Sequence, residues 1–143
     1  MGDIGETIRK FLRLDLKKVV IDILNSPKVK AVIIKMEQER LFNTGKDSTG
    51  ASLGSYSPFT VVIKQGKGQR TDHITLRDTG EFYESFTFYA TSSELVFDAD
   101  PIKEDNNLFD DFGIDILGLT EFDRERLIEL IYQELRFFLL YKL

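Results

Sequence analysis

Residues 86–99, FTFYATSSELVFDA, decide the fold class, because they hold the clearest strand signal in the chain. Apolar and polar side chains alternate on both sides of Thr91-Ser92-Ser93, a pattern typical of two short strands joined by a turn. The turn does not contain the Asn-Gly or Asp-Gly pair that most favours a tight hairpin. The stretch therefore predicts a small antiparallel sheet that contains a hairpin.

Helical patterns lie on either side of this hairpin. Apolar residues recur every three or four positions over residues 3–25, which predicts one helix that ends at Ser26-Pro27. A second helix is predicted over 28–42, although the β-branched run 32–34 also suits the start of a strand. The chain is therefore predicted to be α+β, with two N-terminal helices, the small antiparallel sheet and a C-terminal helix.

The C-terminal helix has the strongest helical signal. Thr120 is suited to cap it, and the acids in its first turn favour the positive end of a helix. Its apolar stripe consists of Leu127, Ile128, Ile131, Leu135 and Phe138. Residues 137–141 are apolar nearly all round, so this end has to be covered by its own core or by a neighbouring molecule.

The 143 residues are expected to form a single domain with long flexible loops near 43–56 and 66–72, where glycine and small polar residues concentrate. Between the loops, residues 57–65 either start a short helix at Pro58 or form a strand. Residues 101–119 are predicted to be irregular and acidic.

A further short helix is predicted just before the hairpin. Asp78 or Thr79 would cap it, and it would run through Phe86 with Phe82 and Tyr83 on the same side.

The chain contains no cysteine, which excludes disulfides, thiolate nucleophiles and cysteine metal sites and favours a reducing compartment. Its first residues lack the apolar run of a secretory signal, and no apolar run approaches the roughly 20 residues of a membrane span. The protein is therefore expected to be made in the cytoplasm of a cell and to have no membrane partner.

Residue types suited to catalysis are sparse. His73 is the only histidine, and no Gly-x-Ser-x-Gly nucleophile elbow accompanies it. Residues 44–48, TGKDS, resemble a phosphate-binding loop but lack its first glycine and place an acid after the lysine. The acids between residues 98 and 115 lack the spacing of a calcium loop.

Asp78-Thr79-Gly80 matches the tripeptide of aspartic proteases. Those enzymes place the aspartate on a tight turn between apolar strands and pair it with a second aspartate, whereas here Arg77 precedes it and a helical pattern follows. We therefore predict no catalytic, cofactor-binding or metal-binding residues and no enzyme activity.

The charge is distributed unevenly. Residues 1–75 carry 13 Lys/Arg and 8 Asp/Glu, a net +5, whereas residues 76–143 carry 6 and 16, a net −10. This layout favours head-to-tail self-association, although two differently charged solvated faces would show the same pattern. The basic loops should meet the acidic segment of a neighbouring copy, with non-specific contact to DNA phosphates as the alternative. The predicted interface residues are Lys46, Asp47, Tyr56, Lys64, Lys67, Arg70, Asp105, Asp110 and Asp111.

The middle of the chain carries several short motifs. They are Gly-x-Asp-Ser-x-Gly at 45–50, Leu-Gly-x-Tyr-Ser-Pro-Phe-Thr at 53–60, Lys-x-x-Lys-Gly at 64–68 and Thr-Leu-Arg-Asp-Thr-Gly-Glu-Phe-Tyr-x-Ser-Phe at 75–86. This set resembles the virion-morphogenesis proteins of tailed phages, also called tail-completion or head–tail joining proteins. The positions that match the Leu-x-x-Thr-Gly-x-Leu/Phe-x-x-Ser motif of that group are Leu76, Thr79, Gly80, Phe82 and Ser85.

The resemblance implies a structural function in the virion. The chain would be one subunit of a homo-oligomeric ring at the neck or tail that joins or seals head and tail, beside portal, adaptor or tail proteins. The residues alone leave two other functions open, a small aspartic hydrolase that uses Asp78 and a cellular adaptor that binds a protein partner.

Overall fold

The computed structural model describes residues 3–142, and within them the chain is an α+β protein, as predicted. Its helices are α1 (Ile4–Leu12), α2 (Leu16–Leu24), α3 (Pro27–Thr44), α4 (Pro58–Gly66), α5 (Glu81–Glu84), α6 (Leu108–Phe112) and α7 (Glu121–Tyr141). Its strands are β1 (Thr87–Ala90), β2 (Leu95–Asp98), β3 (Ile102–Lys103) and β4 (Asn106–Asn107), and a 3-10 turn covers Ile114–Ile116. β1 pairs antiparallel with β2, and β3 with β4.

The prediction of one helix over residues 3–25 is wrong, because this stretch forms two helices. α1 ends at Arg13, and Asp15 begins α2 by accepting a hydrogen bond from the Lys18 amide at 3.2 Å. Asp15 is the local sign of the break, since aspartate is among the best helix caps. The apolar spacing conceals the break because it continues from one helix into the next.

α3 begins and ends at residues suited to those positions. Pro27 occupies its first turn, and the Ser26 hydroxyl accepts a hydrogen bond from the Val29 amide at 3.4 Å. The helix ends at Gly45, whose φ of 61° favours glycine and where a Cβ atom would lie 2.6 Å from Cδ2 of His73. Residues 32–34 lie inside α3, so the strand alternative for them is wrong.

Two apolar clusters lie along α3. The first cluster contains Leu24, Val29, Ile33, Met36, Phe88, Ala90, Leu119 and Leu127, from α2, α3, β1, α7 and the residue before its cap. The second cluster contains Leu41, Leu76, Phe82, Tyr83, Phe86, Ala99, Leu108, Ile116 and Leu117. Ile34 and Phe97 pack against both clusters, so α3 joins two ends of one continuous core.

The hairpin predicted at residues 86–99 is confirmed. Phe88 of β1 lies opposite Phe97 of β2, and the Thr91 amide donates to the Glu94 carbonyl at 2.9 Å to close the turn. Asn25, at the end of α2, exchanges two hydrogen bonds of 2.9 Å with the backbone of Ala90. This tertiary contact holds the hairpin in place although its turn lacks the most favourable residues.

Residues 58–66 form α4, so the helix is the correct alternative for this stretch. The Ser57 hydroxyl accepts a hydrogen bond from the Thr60 amide at 3.2 Å, and Pro58 occupies the first turn. The predicted cap of α5 is wrong, because the helix begins after Gly80, whose φ is 92°, rather than at Asp78 or Thr79.

The prediction that residues 101–119 are irregular is also wrong in part. β3, β4, α6 and the 3-10 turn lie in this stretch. Asn107 begins α6, since its side-chain oxygen accepts hydrogen bonds from the Phe109 and Asp110 amides. These elements are short, and short elements leave little periodicity in a sequence.

Glu37 and Arg40 on α3 bind the chain segment that leads into α7. The Arg40 guanidinium donates hydrogen bonds to the carbonyls of Ile116 and Gly118 and, at 3.2 Å, to the carbonyl of Lys46. The Gly118 amide donates to Oε1 of Glu37 at 2.9 Å. Both side chains are buried, so this network supplies hydrogen bonds to backbone groups that would otherwise be unpaired in the core.

Glu37 is the most deeply buried acid in the described part of the chain, with 1% of its surface exposed. Burial raises the pKa of its carboxyl group to about 7, and the Gly118 hydrogen bond and the charge of Arg40 oppose that rise only in part. The folded protein therefore holds the Glu37 proton to a higher pH than an exposed glutamate would.

Replacing Arg40 with methionine is expected to lower the free energy of unfolding by about 3 kcal/mol, because three backbone carbonyls in or beside the core lose a donor and Glu37 loses its nearby positive charge. Urea denaturation measures this change. Lys35→Met, at an exposed position of the same helix, serves as the control and should change stability by less than about 0.5 kcal/mol. Equal stability of the two variants would contradict the assignment of a structural role to Arg40.

The stability of the protein is expected to fall as the pH rises from about 5 to about 8. In this range the unfolded chain has already released the Glu37 proton, whereas the folded chain holds it until about pH 7, so deprotonation favours unfolding. The shift from 4.5 to about 7 corresponds to about 3 kcal/mol. Urea denaturation at several pH values in this range gives the free energy of unfolding as a function of pH. This free energy should fall much less with pH in Glu37→Gln than in the wild type. An equal fall in both proteins would contradict the raised pKa of Glu37.

Candidate interaction surfaces

α1 presents an apolar surface that nothing in the described chain covers. Ile4, Ile8, Phe11 and Leu12, here called the α1 face, are 51–76% exposed, and none of the residues of α1 is buried. A helix of nine residues is marginal in water on its own. The α1 face is therefore a surface that gains stability when another molecule covers it.

The end of α7 is exposed in the same way. Phe137, Leu140 and Tyr141, here called the C-terminal face, are 49–73% exposed. A groove of about 600 Å³ lies between this end and α2 and is lined by apolar Leu14 and Phe138. The sequence predicts that either the protein's own core or a neighbouring molecule covers this helix end. The core covers only part of it, so Phe137, Leu140 and Tyr141 stay available to a neighbour.

A third apolar surface lies on the outer side of α4. Phe59, Val62 and Ile63, here called the α4 ridge, are 44–75% exposed. The inner side of the same helix carries Lys64, whose Nζ lies 4.7 Å from the centre of the Tyr56 ring. The side of α4 that faces the protein thus mixes Thr60, Val61 and Lys64, while its largest apolar side chains face solvent, unlike those of an ordinary surface helix.

Three of the predicted interface residues meet at one groove of about 310 Å³, which Tyr56, Lys64 and Asp111 help to line. The Tyr56 hydroxyl accepts a hydrogen bond from the Thr75 amide at 2.9 Å. Lys64 is buried and also donates to Gln69 at 3.3 Å. Tyr56 and Lys64 thus hold α4 against the second cluster, while Asp111 is exposed.

Two of the other predicted basic residues, Lys67 and Arg70, form ion pairs within the chain. Nζ of Lys67 lies 3.2 Å from a carboxylate oxygen of Asp78, and Nε of Arg70 lies 2.6 Å from one of Asp72. These pairs are at the surface and neutralise charges that the sequence assigns to a neighbour.

Lys46 and Asp47 lie apart from that groove, near the start of α7. Asp47 is buried, and one of its oxygens accepts hydrogen bonds from the Thr49 amide, the Thr49 hydroxyl and the Ala51 amide, which hold the loop after α3. The side chain of Lys46 is exposed. Asp105 and Asp110 are exposed as well. The interface role of all nine residues stays a prediction, but Asp47 and Lys64 already serve the fold.

The motif that carries the resemblance builds the turn before the hairpin. Leu76 is buried and has a φ of 56°, and Gly80 has a φ of 92°. The backbone therefore adopts a positive φ twice within five residues. Phe82 packs into the second cluster, and the Ser85 hydroxyl accepts a hydrogen bond from the Asp100 amide at 2.9 Å. These residues shape and anchor the fold, whereas the motif's Thr79 is exposed.

Asp78 is surrounded by donors. Gln69 and Lys67 donate to it at 3.2 Å, and Nζ of Lys103 lies 3.6 Å away. The hydrogen bonds from Gln69 and Lys67 lower the pKa of Asp78 to about 2. Paired catalytic aspartates need one carboxyl that keeps its proton, and this setting favours the charged form instead.

The described residues contain neither a metal-binding cluster nor a helix that could cross a membrane. Within residues 3–142, no group of three His, Cys, Asp or Glu side chains lies close enough together to hold a metal ion. None of the helices there combines the length and the apolar character that crossing a membrane requires.

Comparisons with protein-family models, with curated proteins and with solved structures found no match for this chain.

Sequence reasoning missed the apolar residues of α1 and α4 as surface features. The α1 residues read as part of the core stripe of one long helix, and the Asp15 cap is the signal that separates them from it. On α4, Lys64 between apolar neighbours hides which side of the helix faces the protein.

Asp78→Asn is expected to weaken the fold by about 1 kcal/mol at neutral pH, because Lys67 and Lys103 lose their charged partner. Urea denaturation at low and high salt measures this, and the loss should shrink as salt screens the ion pairs. Wild-type protein and variant should both leave a peptide library uncut. Cleavage by the wild type that the variant loses would establish the aspartic hydrolase instead.

Proposed function

We propose that this protein is a non-enzymatic structural subunit of a ring at the neck or tail of a tailed bacteriophage, where it joins or seals head and tail. Its location would be the virion, after synthesis in the host cytoplasm. Its partners would be further copies of itself and the neighbouring portal, adaptor or tail proteins.

The observation that carries this proposal is the exposure of three apolar surfaces, the α1 face, the α4 ridge and the C-terminal face. Contiguous apolar residues at a surface mark sites where proteins associate. Each of the three lies on a helix, which places its apolar side chains on one side. The number of these surfaces favours a subunit with several neighbours.

The charge distribution favours contacts between unlike surfaces. Residues 1–75 carry a net +5 and residues 76–143 a net −10, so unlike surfaces of two copies can attract each other. Contacts of this kind close into rings when the rotation between copies divides a full turn evenly. The short motifs shared with virion-morphogenesis proteins agree with such an assembly.

Purified protein is expected to form a discrete cyclic oligomer, visible as one dominant mass in native mass spectrometry and as rings in electron micrographs. Separately, the chain should be present in purified phage particles at a fixed copy number, and immunogold labelling should place it at the neck or tail. Its absence from purified particles would refute the proposal. A stable one-to-one complex with a cellular protein would instead favour an adaptor.

A further inference from the structure

We propose that the α1 face of one copy docks on the α4 ridge of the next copy, beside the acidic segment 104–111, and that this contact links the subunits of the ring. The inference rests on the proposed function, and it names the two surfaces that meet. Three observations support it: the positions of the surfaces, their charges and their apolar character.

The two surfaces lie beside different grooves of the molecule. α1 leads into α2, which packs in the first cluster, and Lys10 and Arg13 line the groove between α2 and α7. The inner side of α4 instead lines a groove with Leu76 and Leu108 of the second cluster. Since both surfaces are exposed in the single chain, an α1 face that meets an α4 ridge meets that of another copy, which makes the contact heterologous.

The charges beside the two surfaces are complementary. Within residues 3–142, Arg9, Lys10 and Arg13 take part in none of the ion pairs. Glu104 and Asp111 line the groove beside α4 and are likewise outside these pairs. The acids of α1, Asp3 and Glu6, lie at its other end, so contact at its last turn would bring these cations to the acids of the next copy.

The remaining cations beside α4 are already engaged. Lys103 and Lys67 pair with Asp78, Lys64 lies over the Tyr56 ring, and the Arg77 guanidinium lies 5.7 Å from the centre of the Phe42 ring. Lys64 and Arg77 keep their charge over the rings, but four acids of segment 104–111 take part in none of the ion pairs of residues 3–142, and these acids outnumber them. The four acids are Glu104, Asp105, Asp110 and Asp111.

The apolar areas suit each other in size. The α1 face has four exposed apolar side chains in a row, and the α4 ridge has three on one side of a helix of the same nine-residue length. One such contact is smaller than the roughly 800 Å² per partner of a stable interface, so closure of the ring has to add avidity. The contact is expected to be weak between two copies and strong in a closed ring.

Two double variants separate the two surfaces. Ile8→Asp with Phe11→Asp removes the α1 face, and Phe59→Asp with Val62→Asp removes the α4 ridge. Each variant alone should lose the ring and sediment as a monomer at concentrations where the wild type is assembled. Mixed at high concentration, they should form one-to-one dimers and nothing larger, because only one pair of intact surfaces remains.

Ile128→Asp is the matched control, because Ile128 is 52% exposed on α7, as Ile8 is on α1, and belongs to neither surface. It should assemble like the wild type. Intact rings in both double variants would overturn the inference and leave the proposed function standing. Dimers of the α4 variant alone would also overturn it, since they indicate contact between two α1 faces.

The absence of native cysteines allows a direct test of proximity. Ile8→Cys combined in one chain with Cys at position 59, 62 or 63 should give a ladder of disulfide-linked multimers on oxidation for at least one pairing. Ile8→Cys combined with Ile128→Cys should give none. Absence of a ladder for all three pairings would overturn the inference, as would binding to anionic lipid vesicles that the α1 variant loses, because lipid would then cover α1.

Discussion

The burial of Glu37 and Arg40 on one side of α3 is the constraint on which the rest of the structure depends. Their side chains bind the backbone of residues 116–118, where the chain passes from the second cluster to the first. Thr120 caps α7 directly after this segment, so the network decides where α7 starts. Without it, the carbonyls of an irregular segment would be unpaired in an apolar core, which costs more than a lost surface contact.

A core arranged around α3 closes without α1 and without the outer side of α4. The first cluster takes its members from α2, α3, β1, the approach to α7 and α7 itself, and the second from the turns and short elements around α5 and α6. The apolar residues outside these clusters therefore do not stabilise the single chain. Exposed apolar residues lower the solubility of the single chain, and a partner that covers them removes this effect. This is the physical reason to propose that they contact other molecules.

Local chemistry accounts for what the sequence predicts well. Ser26-Pro27 and Ser57-Pro58 start helices through contacts within four residues, and the alternation in the hairpin follows from the strand period. The hydrogen bonds between Arg40 and residues 116–118 join positions more than 70 residues apart and leave no local pattern. For the same reason, the prediction that Lys64 and Asp47 lie at an interface could not anticipate that both are buried.

Charge patterns have a further limit, because they do not reveal which partner a charge has. The sequence assigns Lys67 and Arg70 to a neighbouring copy, yet the acids that pair with them lie within the same chain. Only three residues, 13–15, join α1 to α2. An α1 docked as proposed would therefore fix the position of one copy closely relative to the next. A short linker of this kind restricts the rotation between copies, and that rotation decides whether heterologous contacts close into a ring or continue as a filament.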